Sequence, residues 1–179
     1  METLTNIQVP TREQVTPDSQ AIFDQLNSQL GFVPNLYATI GYSSNALSSF
    51  LAFSGNAGKG TFSNKEIEAI KLAVSQVNGC VYCKSAHTAM AKMNGFTDDE
   101  AEQLRYATIA DEKLNVLTNL AKEVAEKAGK VSSEAKERFF ALGYNENALI
   151  DFVHVVIAVT FTNYVHGLSG VPVDFPVID

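Results

Sequence analysis

Residues 71–95 read KLAVSQVNGCVYCKSAHTAMAKMNG, and this stretch holds both cysteines of the 179-residue chain. Before the Asn-Gly pair at 78–79, apolar side chains recur at helical spacing, which predicts a helix that ends at this pair. A second helix is predicted to start near Cys80 or Val81 and to end at the Asn-Gly pair 94–95. The stretch therefore predicts two consecutive helices, with the cysteines at the start of the second.

Helix starts and stops recur along the rest of the chain, whereas strand signals are scarce. Ser63 with Glu66, and Thr97 with Glu100, match the capping box that opens many helices. Further helical segments are predicted over 17–30, 44–55, 111–128, 132–142 and 146–168, with a short apolar segment up to Gly41. These signals predict an all-α fold.

The segment 146–168 is the most apolar and leaves little polar face, so we expect it to be the central helix or to lie at a subunit interface. No linker or internal repeat divides the sequence. We therefore expect a single-domain helical bundle over residues 1–179, with an extended N-terminal arm at 1–16. Prolines near the C-terminus cannot continue a helix, and an apolar docking tail is expected at 170–179.

The chain carries 13 basic and 20 acidic side chains, for a net charge of −7, and has no run of Lys or Arg. This balance excludes the electrostatic footprint of a protein that binds nucleic acid or anionic membranes. The first residues, METLTNIQVP, lack the features of a leader, and the longest nearly apolar stretch, 152–161, is too short to span a bilayer. We therefore expect a soluble cytoplasmic protein whose partners are small molecules or proteins.

The two cysteines form a CxxC pair, which in a reducing compartment is more often catalytic or metal-binding than structural. With about 100° per helical residue, Cys80, Cys83 and His87 fall within an arc of about 60°. The i,i+3 separation brings the two cysteine Cα atoms to about the 5–6 Å that a disulfide needs. His87 lies one turn from Cys83, so a reversible disulfide beside a base is geometrically feasible.

Two effects disagree about which cysteine attacks. The helix N-terminus favours a thiolate at Cys80 by about 0.3–1 kcal/mol, whereas a charge-assisted hydrogen bond from His87 favours Cys83 by about 1.5–3 kcal/mol. The larger effect predicts that Cys83 attacks as thiolate. Cys80 would then resolve the sulfenic acid into the Cys80–Cys83 disulfide.

Other interpretations of these residues are open. The cysteines could be small buried apolar side chains or, with His87, zinc ligands. Three ligands within eight residues of one helix would be strained around a tetrahedral ion, and His154 and His166 lie on a distant segment. We therefore expect no metal site and assign structural roles to His154 and His166. Tyr82 could either contact the site or simply pack.

Residues 68–87 follow the pattern E68-x11-C80-x-x-C83-x3-H87. This spacing resembles the signature of the alkylhydroperoxidase D-like proteins of the carboxymuconolactone decarboxylase superfamily. GFVPNLYATI (31–40) resembles the approach to that core in longer peroxidase-related members, and FTNYVHGLSGVPVDFP (161–176) resembles their tail. The resemblance implies an all-α fold with a helical hairpin that bears the site, homo-oligomerisation and thiol-based reduction of peroxides.

The resemblance also implies a proton relay in which Glu68 and His87 activate Cys83 while Cys80 resolves the intermediate. It fails at Tyr82, because the best-characterised peroxidases of the family have a histidine before the second cysteine. A phenol cannot replace a base near neutrality, but it can donate a hydrogen bond to a peroxide oxygen or a leaving alkoxide. Tyr82 is therefore a candidate contact for the substrate or the proton relay.

We expect a thiol-dependent peroxidase-like oxidoreductase that acts in antioxidant defence and needs no cofactor. The resemblance implies that a dithiol reductant, either a lipoyl-bearing or a thioredoxin-like protein, regenerates the two thiols. Two alternatives stay open at this point. One is a redox-sensing interaction protein that forms the disulfide without turnover, and the other is a decarboxylase or lactone enzyme on the same scaffold.

Overall fold

The computed structural model describes residues 7–178, and this part of the chain folds into nine α-helices and one short 3₁₀ turn without any strand. The helices are α1 (Pro17–Leu30), α2 (Asn35–Ile40), α3 (Ser44–Ala57), α4 (Asn64–Val77), α5 (Val81–Met93), α6 (Asp98–Tyr106), α7 (Glu112–Glu126), α8 (Ser133–Ala141) and α9 (Glu146–Ser169). The predicted all-α fold is confirmed. Residues 1–6 of the predicted arm and residue 179 of the predicted tail lie outside the described residues.

The predicted capping boxes open α4 and α6. In each, the hydroxyl of the N-cap residue accepts from the N–H of a glutamate three residues later, whose carboxylate accepts from the N-cap N–H in return. These pairs are Ser63 with Glu66 and Thr97 with Glu100. Reciprocal bonds of this kind satisfy donors that a helix start would otherwise leave unpaired, so the sequence fixes both helix starts locally.

The helix at the centre of the fold is α4. It packs against α5, α6, α7 and α9. Ile70 and Val74 belong to a core cluster shared with α7, α8 and α9, while Ala69 and Leu72 belong to a second cluster with α5, α6 and Ile109. Because its neighbours lie on several sides, α4 is buried well beyond the single apolar face that its periodicity predicted.

The most apolar helix, α9, is buried along one face and exposed along the other. Phe152, Val155, Val156 and Val159 face the core, whereas an apolar stripe of Ile150, Val153, Ile157, Phe161, Tyr164 and Leu168 is exposed. Within the part of the chain that is described, α9 is the one helix long and apolar enough to cross a membrane, a test that core helices of soluble proteins also pass. The expected central position belongs to α4 instead.

The segments at the two ends of the described chain pack on the helices near the cysteines. The arm is not fully extended, because Arg12–Gln14 form a 3₁₀ turn capped by Thr11. In the tail, Asp174 accepts a hydrogen bond from the backbone N–H of Asn35 at 2.7 Å. The backbone N–H of Ile178 donates to Ser85 Oγ at 3.0 Å. The tail therefore ties α9 to the starts of α2 and α5.

We predict that Glu66 makes the fold acid-sensitive. Although burial opposes ionisation, hydrogen bonds from Lys113, Ser63 and Tyr144 lower the pKa of Glu66 to about 2, below its ordinary 4.5. Because the folded-state pKa is lowered, this stabilisation is complete above about pH 4.5 and is lost as pH falls towards 2. Glu66→Gln should cost about 1–3 kcal/mol at pH 7 and flatten this acid dependence.

Urea unfolding at pH 7 and pH 3 measures this effect. Glu100→Gln is the matched control, since Glu100 occupies the same capping-box position in α6 but is only partly buried. It should cost less than Glu66→Gln. A Glu66→Gln variant as acid-sensitive as the unmodified protein would contradict the assignment.

Candidate active site

The turn between α4 and α5 positions the cysteines. Gly79 adopts a left-handed conformation with φ of +64°, and the backbone N–H of Cys80 donates to the carbonyl of Ser75 at 3.0 Å. This is the Schellman arrangement that ends helices, and it favours glycine because a side chain is strained at positive φ. The Asn-Gly pair at 78–79 therefore ends α4 and delivers Cys80 directly to the start of α5.

Cys80 is the N-cap of α5. Its backbone is extended, with φ of −80° and ψ of 97°, and its Sγ accepts a hydrogen bond from the backbone N–H of Cys83 at 3.2 Å. The arc predicted from the sequence placed Cys80 inside the helix. In the structure Cys80 is instead the residue that precedes it. An N-cap lies outside the helical backbone, yet its side chain turns back over the first turn. This geometry brings the Cys80 sulfur to the first turn beside Cys83.

Both cysteines are free and buried, with 3% of Cys80 and 2% of Cys83 exposed. A hydrogen bond from the Cys80 thiol lowers the pKa of Cys83, with further hydrogen bonds from Asn163 and Thr162, while burial opposes ionisation. The same hydrogen bond between the two cysteine side chains, together with burial, raises the pKa of Cys80. The pKa of Cys83 is thus lowered relative to that of Cys80, which is the direction expected from the sequence. The leading cause is the hydrogen bond from Cys80, and not His87.

Glu68 and His87 are brought together by the packing of α4 on α5. His87 Nδ1 lies 2.8 Å from Glu68 Oε2, and Lys71 Nζ lies 3.2 Å from Glu68 Oε1. Burial opposes ionisation of Glu68, but the charges and hydrogen bonds of His87 and Lys71 lower its pKa to about 2. Glu68 is therefore a carboxylate at any physiological pH, and it holds the imidazole of His87 in place.

His87 lies one turn along α5 from Cys83, as the spacing predicted. With Nδ1 donating to the carboxylate, Nε2 is the nitrogen left to exchange a proton with another group. Within residues 7–178 no hydrogen bond joins His87 to Cys83. The site thus consists of two neighbouring pairs: Cys80 with Cys83, and His87 with Glu68. The described residues contain no cluster of three or more His, Cys, Asp or Glu side chains suited to a metal.

Tyr82 lies with the tail and α2. Its hydroxyl oxygen accepts from the backbone N–H of Leu36 at 3.3 Å. Burial, followed by a hydrogen bond to Asp174, raises the pKa of Tyr82. Its ring lies against His166 and Phe175, with ring centroids 5.6 Å away in each case. The hydroxyl is therefore already paired, and the contacts of Tyr82 are with the surrounding fold.

Of the two histidines expected to be structural, His154 Nε2 lies 2.7 Å from the carbonyl oxygen of Phe53. His166 lies in the last turn of α9, where the helix dipole favours a cation. Burial instead lowers the pKa of His166 and favours the neutral imidazole. Its ring lies tilted against Tyr82, the residue next to Cys83, with the ring centroids 5.6 Å apart.

Three residues that the sequence analysis did not select also lie at this site. Tyr37 packs on the cluster that contains both cysteines, and burial, with the nearby charges of Cys83 and Glu68, raises its pKa to about 12. Thr162 Oγ1 lies 3.8 Å from Cys83 Sγ, and the neighbouring Asn163 is buried and hydrogen-bonds Ser75 and Asn78 at the end of α4. All three lie within the two outer stretches, 31–40 and 161–176, that carried the resemblance, but no spacing rule distinguished them there.

A cavity of about 290 Å³ opens beside the carboxylate of Glu68. Its walls come from α3, α4 and α5 and include Ser54, Ile67, Lys71, Met90 and Met93. Glu68 and Lys71 are the charged side chains of its lining, and Asn64 and Asn94 add two amides. The cavity reaches Glu68, whereas His87 and the cysteines are not among its lining residues.

Comparison with protein families matches residues 45–127 to the carboxymuconolactone decarboxylase family. This region spans α4 and α5, and therefore Glu68, both cysteines and His87. The match leaves out α2 and all of α9, which supply Tyr37, Thr162 and Asn163. No curated protein matches the chain by sequence.

Solved structures match almost the whole chain in fold. A peroxidase-related protein from Silicibacter sp. TM1040 is 23% identical, with a TM-score of 0.82 over 96% of this chain and 92% of that one. An alkylhydroperoxidase AhpD core protein from Ralstonia eutropha JMP134 is 20% identical, with a TM-score of 0.84 over 97% and 94%.

A third structure is that of a cysteine variant of the debrominase Bmp8 in complex with 2,3,4-tribromopyrrole. It is 19% identical, with a TM-score of 0.78 over 97% of this chain and 93% of that one. At these identities the similarity establishes a shared fold. Residues 45–127, somewhat under half of the chain, thus match the carboxymuconolactone decarboxylase family, and the fold is shared with the alkylhydroperoxidase AhpD core protein.

Proposed function

We propose that the chain is a thiol-dependent peroxidase-like oxidoreductase that reduces hydroperoxides through Cys80 and Cys83. The observation that carries this proposal is the asymmetric cysteine pair, in which the Cys80 thiol lowers the pKa of Cys83 one turn from a carboxylate-bound His87. A thiolate is the nucleophilic form of cysteine, and a positioned imidazole can transfer protons near neutral pH. The family and fold support a peroxidase-related role in general terms.

The proposed cycle begins when the Cys83 thiol gives its proton to His87 and the resulting thiolate attacks the terminal oxygen of a hydroperoxide. An S–O bond forms, the O–O bond breaks, and the leaving alkoxide takes this proton from His87, which Glu68 orients. The Cys80 thiol then attacks the sulfenic acid of Cys83, which releases water and forms the disulfide. One hydroperoxide and two thiols thus give one alcohol, one water and one disulfide.

An external dithiol must return the disulfide to two thiols, and we propose a lipoyl-bearing or thioredoxin-like protein in this role. The proposed setting is the cytoplasm, where such dithiols are kept reduced. The exposed apolar stripe of α9 supports a homo-oligomer, because a stripe of this length is the kind of surface that a second copy covers. The cycle uses no haem, flavin or metal.

Reductive dehalogenation is a second candidate function. Beside the cysteines, Tyr37 meets Phe50 edge to face at a centroid distance of 5.8 Å, and Phe50 stacks on Phe161 at 5.1 Å. Such rings suit a flat aromatic substrate. Two thiols would reduce one carbon–halogen bond to C–H, with release of hydrogen halide and formation of the disulfide. The debrominase with the same fold makes this chemistry relevant, and bromide release from 2,3,4-tribromopyrrole tests it.

We predict that Cys83→Ser abolishes steady peroxide consumption in the presence of dithiothreitol. Cys80→Ser should still react once with peroxide, because the attacking sulfur remains, but it should stop at a sulfenic acid that dimedone traps. Peroxide consumption and mass spectrometry after dimedone treatment measure the two effects. Preferential trapping at Cys80 in the Cys83→Ser variant would reverse the assigned order.

The same experiment separates the alternatives. A redox-sensing protein would form the disulfide stoichiometrically without turnover. A decarboxylase or lactone enzyme would keep its activity when both cysteines are replaced by serine. Only the proposed function predicts continuous consumption that depends on Cys83.

We predict that Glu68→Gln lowers kcat/KM for peroxide by about 100-fold or more, the usual size of a lost general acid–base contribution. Since the pKa of Glu68 is about 2, its carboxylate stays ionised above about pH 4, and any loss of rate on acidification between pH 7 and 5 arises elsewhere. Initial rates across this range measure both effects.

Glu66→Gln is the matched control for this variant. It makes the same substitution on the same helix, but Glu66 bonds Ser63, Lys113 and Tyr144 instead of His87. Its turnover should remain close to that of the unmodified protein under conditions where it is folded. Equal losses in the two variants would mean that Glu68 acts through stability alone.

A further inference from the structure

We propose that a groove between α7 and α9 binds an amphipathic anion, an unbranched aliphatic chain that ends in a carboxylate. The groove encloses about 780 Å³, which is within the range of small-molecule sites and larger than the cavity beside Glu68. Neither Glu68, His87 nor a cysteine lines it. The proposal therefore concerns a second site and does not depend on the proposed function.

The groove is long. Its wall on α9 runs from Leu149 to Tyr164, which is about 22 Å at a rise of ~1.5 Å per helical residue. The facing wall comes from the C-terminal half of α7 and from the loop that leads into α8. A site of this shape suits an extended chain better than a compact ring.

Most of the side chains that line the groove are aliphatic. They include Val124 of α7 and Leu149, Val153 and Ile157 of α9. Val153 is 40% exposed and Ile157 is 50% exposed, so the groove leaves apolar surface in contact with water. An aliphatic chain that covers this surface binds favourably, because it removes apolar area from water.

A ligand in the groove accounts for part of the apolar stripe of α9. Val153, Ile157 and Tyr164 of the stripe line the groove, whereas its other three residues do not. The ligand would cover the first three, and the other three stay available to a second copy of the chain.

The helices around the groove run in the same direction. Glu66, in the first turn of α4, bonds Lys113 near the start of α7 and Tyr144 just before α9. At the other end, Asn78, the C-cap of α4, bonds Asn163 near the end of α9. Because the three helices also pack on one another, their C-terminal ends lie at the same end of the groove.

The charged groups of the groove lie towards this C-terminal end. Lys130 follows α7, and Lys136 lies in the first half of α8, which starts from the same loop. Among the described residues that line the groove, these two lysines are the only charged ones, although acidic side chains outnumber basic ones in the chain. Within residues 7–178 neither ammonium group has an ion-pair partner. Both are therefore available to an anion.

The neighbouring cavity between α7 and α8 has a different charge pattern. Its lining includes the carboxylates of Glu123, Glu126 and Glu134 beside basic side chains. The absence of carboxylates from the lining of the groove is therefore not a general property of this side of the described chain. Two unpaired ammonium groups beside an aliphatic groove complement a carboxylate on an aliphatic chain, with the charge fixing the direction in which the chain lies.

The test measures binding of octanoate, decanoate and decan-1-ol to the full-length reduced protein by equilibrium dialysis. We expect one decanoate per chain, bound about 15-fold more tightly than octanoate, since each buried CH₂ group tightens binding about fourfold.

The double variant Lys130→Met with Lys136→Met tests the head group. It removes both charges and should weaken decanoate binding about tenfold, while binding of the uncharged decan-1-ol changes less than twofold. Lys122→Met is the matched control, since Lys122 is an exposed lysine of α7 that does not line the groove. Its affinity for decanoate should equal that of the unmodified protein.

Ile157→Glu tests the aliphatic part of the groove. It places a carboxylate among the apolar side chains and should weaken binding of both ten-carbon probes more than tenfold. Leu168→Glu is its control, because Leu168 is an exposed residue of the same stripe outside the groove, and it should leave both affinities unchanged. If Ile157→Glu does not fold by circular dichroism, the double lysine variant decides, since both lysines are exposed.

Three results overturn the proposal. The first is a decanoate affinity that the double lysine variant leaves unchanged. The second is saturation well above one decanoate per chain without any effect of Ile157→Glu, which indicates detergent-like adsorption. The third is an unmodified protein that does not bind decanoate, together with an oligomeric state that Ile157→Glu changes in sedimentation velocity, which assigns the groove to a second copy of the chain.

Discussion

Two carboxylates on a buried helix set the constraint from which the rest of the structure follows. Glu66 and Glu68 are 8% and 5% exposed, and an unpaired charge at such positions would strongly destabilise the fold. Glu66 is compensated by Lys113 of α7 and by Tyr144 before α9, and Glu68 by His87 of α5. These ion pairs and hydrogen bonds therefore fix the alignment of α4 with its neighbours, because hydrophobic packing alone could allow more than one register.

Glu66 and Glu68 lie on the same helix but have different surroundings. Glu66 completes the capping box of α4 and accepts a hydrogen bond from Tyr144. These contacts all stabilise the fold. Glu68, two residues later, faces a histidine, a lysine and a cavity. Glu68 therefore borders a cavity and bonds an ionisable side chain, and these surroundings support the role that the proposed function gives it.

Much of this arrangement could be predicted from the sequence, because its determinants are local. Capping boxes and the Asn-Gly turn placed the helix ends, and the i,i+4 spacing placed His87 beside Cys83. What could not be predicted depends on tertiary contacts. Periodicity did not show that α4 and not α9 is the central helix, nor that Tyr82 faces the tail. Asn163 lies about 80 residues from the sulfurs, and no local rule connects positions so far apart.

The position of Cys80 as the cap of α5 has a thermodynamic consequence. One sulfur accepts the N–H that starts the helix, and its thiol also forms the hydrogen bond that lowers the pKa of Cys83 three residues later. Oxidation must therefore change the environment of the first helical turn. Any free energy that this turn gains or loses on oxidation appears, with equal size, as a change in the reducing power of the dithiol. The stability of the first turn of α5 would therefore help to set the reduction potential of the cysteine pair.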